Sequence, residues 1–266
     1  YSILPVVVLV AWALLLLLAD LWLSKHKPVF TPILAVIGLV LSVAASITLA
    51  GQHLSGFGNS VIVDGFAAFL QPLFAITGIL AIGLAYDYLK RFKIGRGEYY
   101  VLILLSISGM MLMSSAGDLI MVFLALELLS IPLYIMASMA YPRFESEESG
   151  LKYFLLGTFA SGFLLFGTAM VYGATTSINL SEILSVINSG SYDPTLMVIG
   201  AALILIGFRF KVAAVPFQSW TPDVYQGAPS PVSAFMSVGV KAAGFAALLR
   251  VFSLIFPQLA QTLTPV

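Results

Sequence analysis

Eight runs of about 20 apolar residues follow one another along this chain of 266 residues, and each is long enough to cross a bilayer as a helix. The runs lie roughly at residues 3–23, 31–50, 66–86, 98–116, 118–140, 149–174, 195–221 and 228–256. The first run is longer than the apolar part of a typical signal peptide, so we expect it to stay in the membrane. The pattern predicts an all-α, polytopic transmembrane helical bundle.

The composition excludes several functional classes. Hydrophobic residues make up 60% of the chain and charged residues only 9%, which rules out a soluble globular protein. The net charge is zero, so nothing global attracts nucleic acid. With no cysteines and only two histidines, the chain lacks the ligands of iron–sulfur clusters and is poorly equipped to hold haem. Neither a Gly-x-Gly-x-x-Gly motif nor a Walker loop is present. We therefore expect no cofactor in this chain.

Three charged residues lie in the middle of apolar runs: Glu127, Lys211 and Lys241. A charge at the centre of a membrane helix costs about 2.5–3.5 kcal/mol on insertion scales, so such groups usually pair with one another or line a water-filled path. Their presence within one chain indicates a route for protons or ions.

Prolines interrupt two of the runs that carry these charges. Pro132 and Pro216 each remove a backbone donor and free the carbonyl four residues earlier, one position after Glu127 and Lys211 respectively. Broken helices beside polar groups are a recurrent way to build ion sites at mid-membrane. The alternative is that these are ordinary proline kinks with no function.

The distribution of basic residues between the runs predicts the orientation. Lysine and arginine are found in the loops after the first, third and fifth runs and are absent from the loops after the second, fourth and sixth. By the positive-inside rule, the basic loops are cytoplasmic and the N-terminus is outside. The loop at residues 175–194 is then external and is expected to hold a short amphipathic segment. The basic loop residues are Lys25, Lys27, Lys90, Arg91, Lys93, Arg96 and Arg143.

The segment around residues 209–232 carries the most specific motif. It reads FRFKVAAVPFQSWTPDVYQGAPSPVSAF, with a buried lysine, a helix break, a Trp-x-Pro-Asp turn and a Gly-x-Pro-x-Pro-Val helix start. This strongly resembles the antiporter-like membrane subunits of respiratory complex I and the related cation/proton antiporters. Together with LALELLSIPLYIMASM, ESGLKYFLLGTFASGFLLFGTAMVYG and SVGVKAAGFAALLR, it is most similar to the N subunit (NuoN-type) branch of bacterial NADH:quinone oxidoreductase.

The resemblance assigns roles to four residues. The family's glutamate of the fifth helix falls on Glu127, and its lysines of the sixth, seventh and eighth helices fall on Lys152, Lys211 and Lys241. In that family the glutamate pairs with the seventh-helix lysine, and the lysines relay protons. These four residues are therefore the candidate proton-relay residues, and no metal or cofactor ligands are expected.

The resemblance also implies a domain organisation. Residues 1–97 would form three N-terminal transmembrane helices, and residues 98–256 an antiporter-like first half-channel built from helices 4–8, with a discontinuous seventh helix. Helices 4–8 and 9–13 of the family are two inverted five-helix repeats. Residues 257–266 would begin the connection to the second repeat, which lies outside this sequence.

The implied function is proton translocation by a membrane-arm subunit of a complex I-type NADH:quinone oxidoreductase, in a bacterial plasma membrane or an equivalent organellar membrane. The resemblance places flavin, iron–sulfur clusters and quinone in partner subunits, and implies contacts with neighbouring antiporter-like membrane subunits. Two alternatives remain at this stage: a stand-alone cation/proton antiporter, and a structural subunit that bridges its neighbours. The second leaves the buried charges unexplained.

Each candidate residue also has a structural interpretation. Glu127 could anchor two helices by bonding to a serine or amide, and Lys211 could be its fixed partner. Lys152 lies near the cytoplasmic end of its run, where a lysine often extends to the interface. Lys241 has no acidic residue near it in sequence, and the glycines around it, Gly239 and Gly244, leave room for water.

Other polar and aromatic residues are predicted to have structural roles. Arg209 lies two positions before Lys211, so the two side chains should point about 200° apart on a helix. Asp118 and Asp223 are expected at helix ends. Four aromatic residues are expected in an interfacial belt: Trp220, Tyr225, Tyr99 and Tyr100.

Overall fold

A computed structural model describes residues 1–23, 29–92, 94 and 97–263. Within these ranges the chain forms α-helices, one π-helical turn at Met236–Val240 and one antiparallel hairpin. The strands are β1 (Leu54–Gly56) and β2 (Val61–Val63). The helices are α1 (Leu4–Leu23), α2 (Phe30–Leu49), α3 (Gly65–Arg91), α4 (Glu98–Ser114), α5 (Leu119–Ala137), α6 (Phe144–Thr175), α7 (Leu180–Ser189), α8 (Pro194–Val212), α9 (Trp220–Gly227), α10 (Ser230–Phe235) and α11 (Lys241–Leu263).

The predicted transmembrane helices are confirmed. In the described residues, seven helical stretches are long and apolar enough to cross a membrane, and α4 is an eighth apolar helix of 17 residues. The seventh span is broken as predicted, because α8 ends at Val212 and α9 begins only at Trp220. Pro216 therefore lies between two helices, whereas Pro132 lies inside the continuous helix α5. Basic residues Lys25, Lys27, Lys93 and Arg96 lie outside the described residues.

Helix α4 is the centre of the bundle. It packs against α1, α2, α3, α5 and α11, and most of its side chains are buried, so it has no wide face toward lipid. Gly109 permits the close contact with α5, because a Cβ atom there would lie 2.4 Å from the backbone nitrogen of Leu129. Through α4, the later helices α5 and α11 are packed onto the three N-terminal helices.

Short elements join the helices at the end of the bundle predicted to be external. β1 and β2 pair antiparallel, and single bridges connect Val61 to Ala116 and Asp118 to Asn179. The predicted amphipathic segment in this region is confirmed as α7, whose apolar residues Leu180 and Ile183 are buried.

An ion pair between Asp64 and Arg250 links α3 to α11 at this end. The Arg250 guanidinium donates to both carboxylate oxygens, at 3.0 and 2.8 Å, and lies 5.1 Å from the ring centroid of Phe66. Asp64 also caps α3 by accepting from the backbone N–H of Ala67 at 2.9 Å. Burial alone would raise the pKa of Asp64, but these hydrogen bonds outweigh it and hold the pKa below its ordinary value of 3.8.

We expect Arg250→Leu to destabilise the protein by about 3 kcal/mol, because it leaves the Asp64 carboxylate partly buried without its partner. Asp64→Asn keeps the helix cap but leaves the more deeply buried Arg250 guanidinium without its carboxylate, so it should cost at least as much. A depressed carboxylate pKa stabilises the fold above the unfolded-state pKa, so this contribution should persist at neutral pH and disappear only below pH 3.8. The midpoint of thermal unfolding of the purified protein measures the effect. Equal stability of wild type and Arg250→Leu would contradict it.

Candidate functional site

Lys211 is buried in the last turn of α8, with 3% of its surface exposed. Its ammonium donates to the Ser130 hydroxyl at 2.7 Å and to the Tyr153 hydroxyl at 3.2 Å. Ser130 in turn donates to the carbonyl of Leu126 within α5. The buried lysine is therefore held between α5 and α6 by neutral hydroxyl groups.

Glu127 lies on α5, one turn before Ser130, and is half-buried. Its carboxylate accepts a hydrogen bond from the Ser161 hydroxyl of α6. The direct ion pair expected between Glu127 and Lys211 is not formed: no carboxylate–ammonium distance within 4.0 Å joins these two described residues. The physical reason is that serine and tyrosine hydroxyls already satisfy both charged groups. Glu127 instead shows the serine-bonded arrangement that the sequence left open.

A small cavity lies between α5, α6 and α8 and touches both Lys211 and Ser161. The volume open to the centre of a water molecule is about 10 Å³, which is roughly the space of one water. The cavity thus connects the lysine to the serine that bonds Glu127. It is lined by Leu126, Tyr134, Gly157, Ala160, Ser161, Gly207, Phe210 and Lys211.

Three aromatic side chains in successive contact, which we call the aromatic partition, begin at Lys211, whose ammonium lies 5.4 Å from the first ring centroid: Tyr153, Trp220 and Tyr225. Trp220 stacks on Tyr153 at 4.9 Å between ring centroids and meets Tyr225 edge-on at 6.0 Å. Its indole N–H donates to the Phe210 carbonyl at 3.0 Å. The interfacial-belt prediction is wrong for Trp220, Tyr99 and Tyr100, which are all buried in the bundle. These rings pack helices together.

Lys241 is the first residue of α11 and follows directly on the π-helical turn. Its ammonium lies 5.7 Å from the ring centroid of Tyr225, the last ring of the aromatic partition. The Tyr225 hydroxyl is buried and bonds to no other group in the described part of the chain. The space expected at the neighbouring glycines is taken by protein: a Cβ atom at Gly244 would lie 2.9 Å from Val212, and one at Gly239 would lie 3.1 Å from a side-chain carbon of α3.

Lys152 lies apart from the buried cluster. Its side chain is 41% exposed and forms ion pairs with Glu148 at 2.8 Å and with Asp223 at 2.7 Å. Exposed pairs of this kind contribute little to stability. Lys152 therefore has the surface position expected of a lysine that extends to an interface, while its neighbour Tyr153 points inward to Lys211.

Several residue placements agree with the sequence. Arg209 is exposed whereas Lys211 is buried, as their helical spacing predicts. Asp118 caps α5 by accepting from the Met121 N–H at 2.6 Å, and Asp223 lies in the first turn of α9.

No group of three or more His, Cys, Asp or Glu side chains suited to a metal occurs in the residues that the structure describes.

Sequence reasoning missed three hydroxyl residues of the site, Ser130, Tyr153 and Ser161. Serine and tyrosine are common in membrane helices and carry no charge, so their presence alone is a weak signal. The usable signal was spacing, because Ser130 follows Glu127 by three positions and thus lies on the same helix face.

Comparison with known proteins gives the family. Residues 116–265 match the model of the family described as NADH:quinone oxidoreductase/Mrp antiporter, transmembrane. NADH-quinone oxidoreductase subunit N of Chloroflexus aggregans is 45% identical over 98% of this chain and 54% of its own length. The same subunit of Trichlorobacter lovleyi is 43% identical over 97% of this chain and 53% of its own length.

A solved structure has the same fold. A chain of respiratory complex I from Thermus thermophilus, solved with bound aureothin, superposes with a TM-score of 0.79 at 36% identity, covering 93% of this chain and 53% of that one. The present chain thus spans about half the length of the relatives it matches. The family model covers more than half of the chain, which therefore belongs to the NADH:quinone oxidoreductase/Mrp antiporter transmembrane family.

Proposed function

We propose that this chain is part of a proton-translocating membrane-arm subunit of a complex I-type NADH:quinone oxidoreductase. The observation that carries the proposal is the buried Lys211 ammonium, held by hydroxyl groups within one cluster with Glu127. A lysine fixed only for structure would gain most from a direct carboxylate partner, whereas this one has none within ion-pair distance among the residues that the structure describes.

Hydroxyl partners suit a lysine that changes its protonation state. A hydroxyl group both donates and accepts, so Ser130 and Tyr153 can reorient and bond to either the ammonium or the neutral amine. Glu127 acts on Lys211 across the intervening serines, because in a medium of low polarity a charge is felt well beyond contact distance. A displacement of Glu127 would then change the free-energy difference between the protonated and neutral forms of Lys211. The two residues together can therefore act as a proton switch.

The proposed route runs from Lys152, at the cytoplasmic surface, through Lys211 to Lys241. The aromatic partition links the two inner lysines through ring contacts in the described state, and proton transfer between them is proposed to use water that enters between these rings. The energy comes from electron transfer in partner subunits, where flavin, iron–sulfur clusters and quinone are proposed to bind. Neighbouring antiporter-like subunits and the lipid bilayer are the proposed surroundings.

Proton pumping by the complete assembly tests this function against cation exchange by one subunit. We expect NADH oxidation to acidify one side of vesicles that contain the purified complex with the full-length subunit. The subunit alone should exchange neither Na⁺ nor K⁺ for protons. Cation exchange by the lone subunit, measured with a pH-sensitive dye, would support the antiporter instead.

The proposed location is a bacterial plasma membrane, or an equivalent organellar membrane, with the N-terminus outside. This orientation places Arg91 in the cytoplasm and Ser185 outside, and both side chains are exposed. Because residues 1–266 contain no cysteine, a label mapped to a peptide within them marks only the introduced Arg91→Cys or Ser185→Cys. A membrane-impermeant maleimide should reach them from opposite sides of the membrane. Labelling of both from one side would refute the orientation.

A further inference from the structure

An apolar groove between α2 and α3 lies outside the relay site. It has a volume of about 450 Å³, within the range of roughly 300–1,000 Å³ typical of small-molecule sites. One wall is formed by α2 between Val29 and Ile37, and the other by α3 between Ile79 and Tyr86. At 1.5 Å per residue, each wall is roughly 10–12 Å long. The groove thus has the length and polarity of part of a lipid acyl chain.

Polar groups lie at one end of this groove. On α3 the lining residues Ile79, Gly83 and Tyr86 are followed on the same helix face by Lys90, since their spacings are four, three and four residues. The Lys90 side chain is exposed. The Tyr86 hydroxyl has no hydrogen-bond partner in the part of the chain that the structure describes. The Lys90 ammonium and the Tyr86 hydroxyl therefore lie where the headgroup of a lipid would be if its acyl chain occupied the groove.

The sequence next to this end of the groove is rich in basic residues. The segments 20–31 and 86–98, which connect α1 to α2 and α3 to α4, carry six basic residues against the three acidic residues Asp20, Asp87 and Glu98. Asp20 accepts a hydrogen bond from the Thr31 hydroxyl at 2.7 Å and so faces another partner. By contrast, the connection to α6 ends with Arg143, and the helix itself opens with three glutamates within residues 145–148. The Val29 and Tyr86 ends of the two walls are the ends nearest these basic segments, where an anionic headgroup is favoured.

We propose that this groove binds an anionic glycerophospholipid, with an acyl chain between α2 and α3 and its phosphate beside Lys90 and Tyr86. A single lysine near the surface of an anionic membrane strengthens binding by about fivefold, equivalent to about 1 kcal/mol. The acyl chain fills the space between the helices and the headgroup selects the lipid. The proposal concerns the three N-terminal helices and does not depend on the proton relay.

Gly83 offers a clean way to fill the groove. A Cβ atom at this position would meet nothing within 4 Å, so a large side chain can enter the groove without displacing protein atoms. Gly162 on α6 is a matched control, because it is also open on all sides within 4 Å and lies far along the chain. Gly83→Trp and Gly162→Trp therefore make the same chemical change inside and outside the site. Gly83→Leu is a milder second variant.

The test is photo-crosslinking of the complete purified complex in nanodiscs that contain phosphatidylglycerol with a diazirine in its acyl chain. We expect crosslinks on residues 29–37 or 79–86, a loss of at least about fivefold in Gly83→Trp and Gly83→Leu, and no loss in Gly162→Trp. Lys90→Gln should weaken crosslinking about fivefold, and the exposed control Arg143→Gln should not. Unlabelled phosphatidylglycerol should compete better than phosphatidylcholine.

Three results would overturn the proposal. Equal competition by the two lipids would mean that the groove holds bulk lipid without headgroup selection. Equal crosslinking of Gly83→Trp and Gly162→Trp would mean that no lipid enters the groove. In the third result, the lipid diazirine crosslinks only to other surfaces, and a photoreactive residue placed at position 83 crosslinks to a helix of a neighbouring protein. The groove would then be occupied by another subunit and not by a lipid.

Discussion

Replacing Lys211 with methionine is expected to lower NADH-driven proton pumping by at least about a hundredfold while the complex still assembles. The variant removes the one buried ammonium at the junction of α5, α6 and α8, and a positioned proton-transfer group typically contributes about 10²–10⁴-fold to rate. Methionine fills a similar volume and carries no charge, so the fold should tolerate it. Arg209→Met is the matched control, because Arg209 is exposed two positions earlier on the same helix. Pumping should be unaffected in that variant.

Combining Lys211→Met with Glu127→Gln measures whether the two residues act together. Glutamine can still accept the hydrogen bond from Ser161, so Glu127→Gln should assemble normally and pump poorly. The double mutant is expected to pump no worse than Lys211→Met alone, because Glu127 is proposed to act only by changing the protonation of Lys211. Losses that multiply would show that Glu127 and Lys211 work independently. Because the two groups do not touch, we expect their effects on assembly to be simply additive.

Lys241→Ala is expected to abolish most proton pumping, again with the complex assembled. The side chain is half-buried and its ammonium meets only the Tyr225 ring among the described residues, so its removal leaves no buried charge unpaired. Lys241→Arg should keep part of the activity, because arginine stacks on the same ring and preserves the charge but resists deprotonation. Pumping is read as dye quenching in vesicles, normalised to NADH oxidation.

A variant of the ring partner provides the control. Tyr225→Phe keeps the face that Lys241 meets and removes only the hydroxyl, so the cation–π contact should survive. Full pumping by Lys241→Arg would show that this lysine never releases its proton, and the relay would have to pass around it.

Hydropathy predicted the transmembrane helices because the energetic cost of exposing polar groups to lipid acts on each span separately. The same argument located Glu127 and Lys211, since a charge within a span is visible without any knowledge of packing. The break after Val212 followed from Pro216 for an equally local reason. These features depend on residues that are neighbours in sequence.

The partners of these groups could not be predicted, because they depend on how the helices are rotated against one another. Ser161 is separated from Glu127 by 34 positions, and Asp64 from Arg250 by 186. Composition also misled at the aromatic residues: Trp220 has the chemistry of an interfacial residue, but the break between α8 and α9 turns it inward onto Tyr153. The packing of segments that are distant in sequence therefore determines which hydrogen-bond or ring partner each of these residues has.

The π-helical turn at Met236–Val240 determines where the eighth span tolerates a change in length. A π turn contains one residue more than an α turn, so deleting one residue there would leave an ordinary α-helix with α10 and α11 still in phase. A deletion anywhere else in the span would rotate the rest of the helix by about 100°. Arg250 would then face away from Asp64. The turn is thus the position at which this helix can lose a residue and keep both of its ends in place.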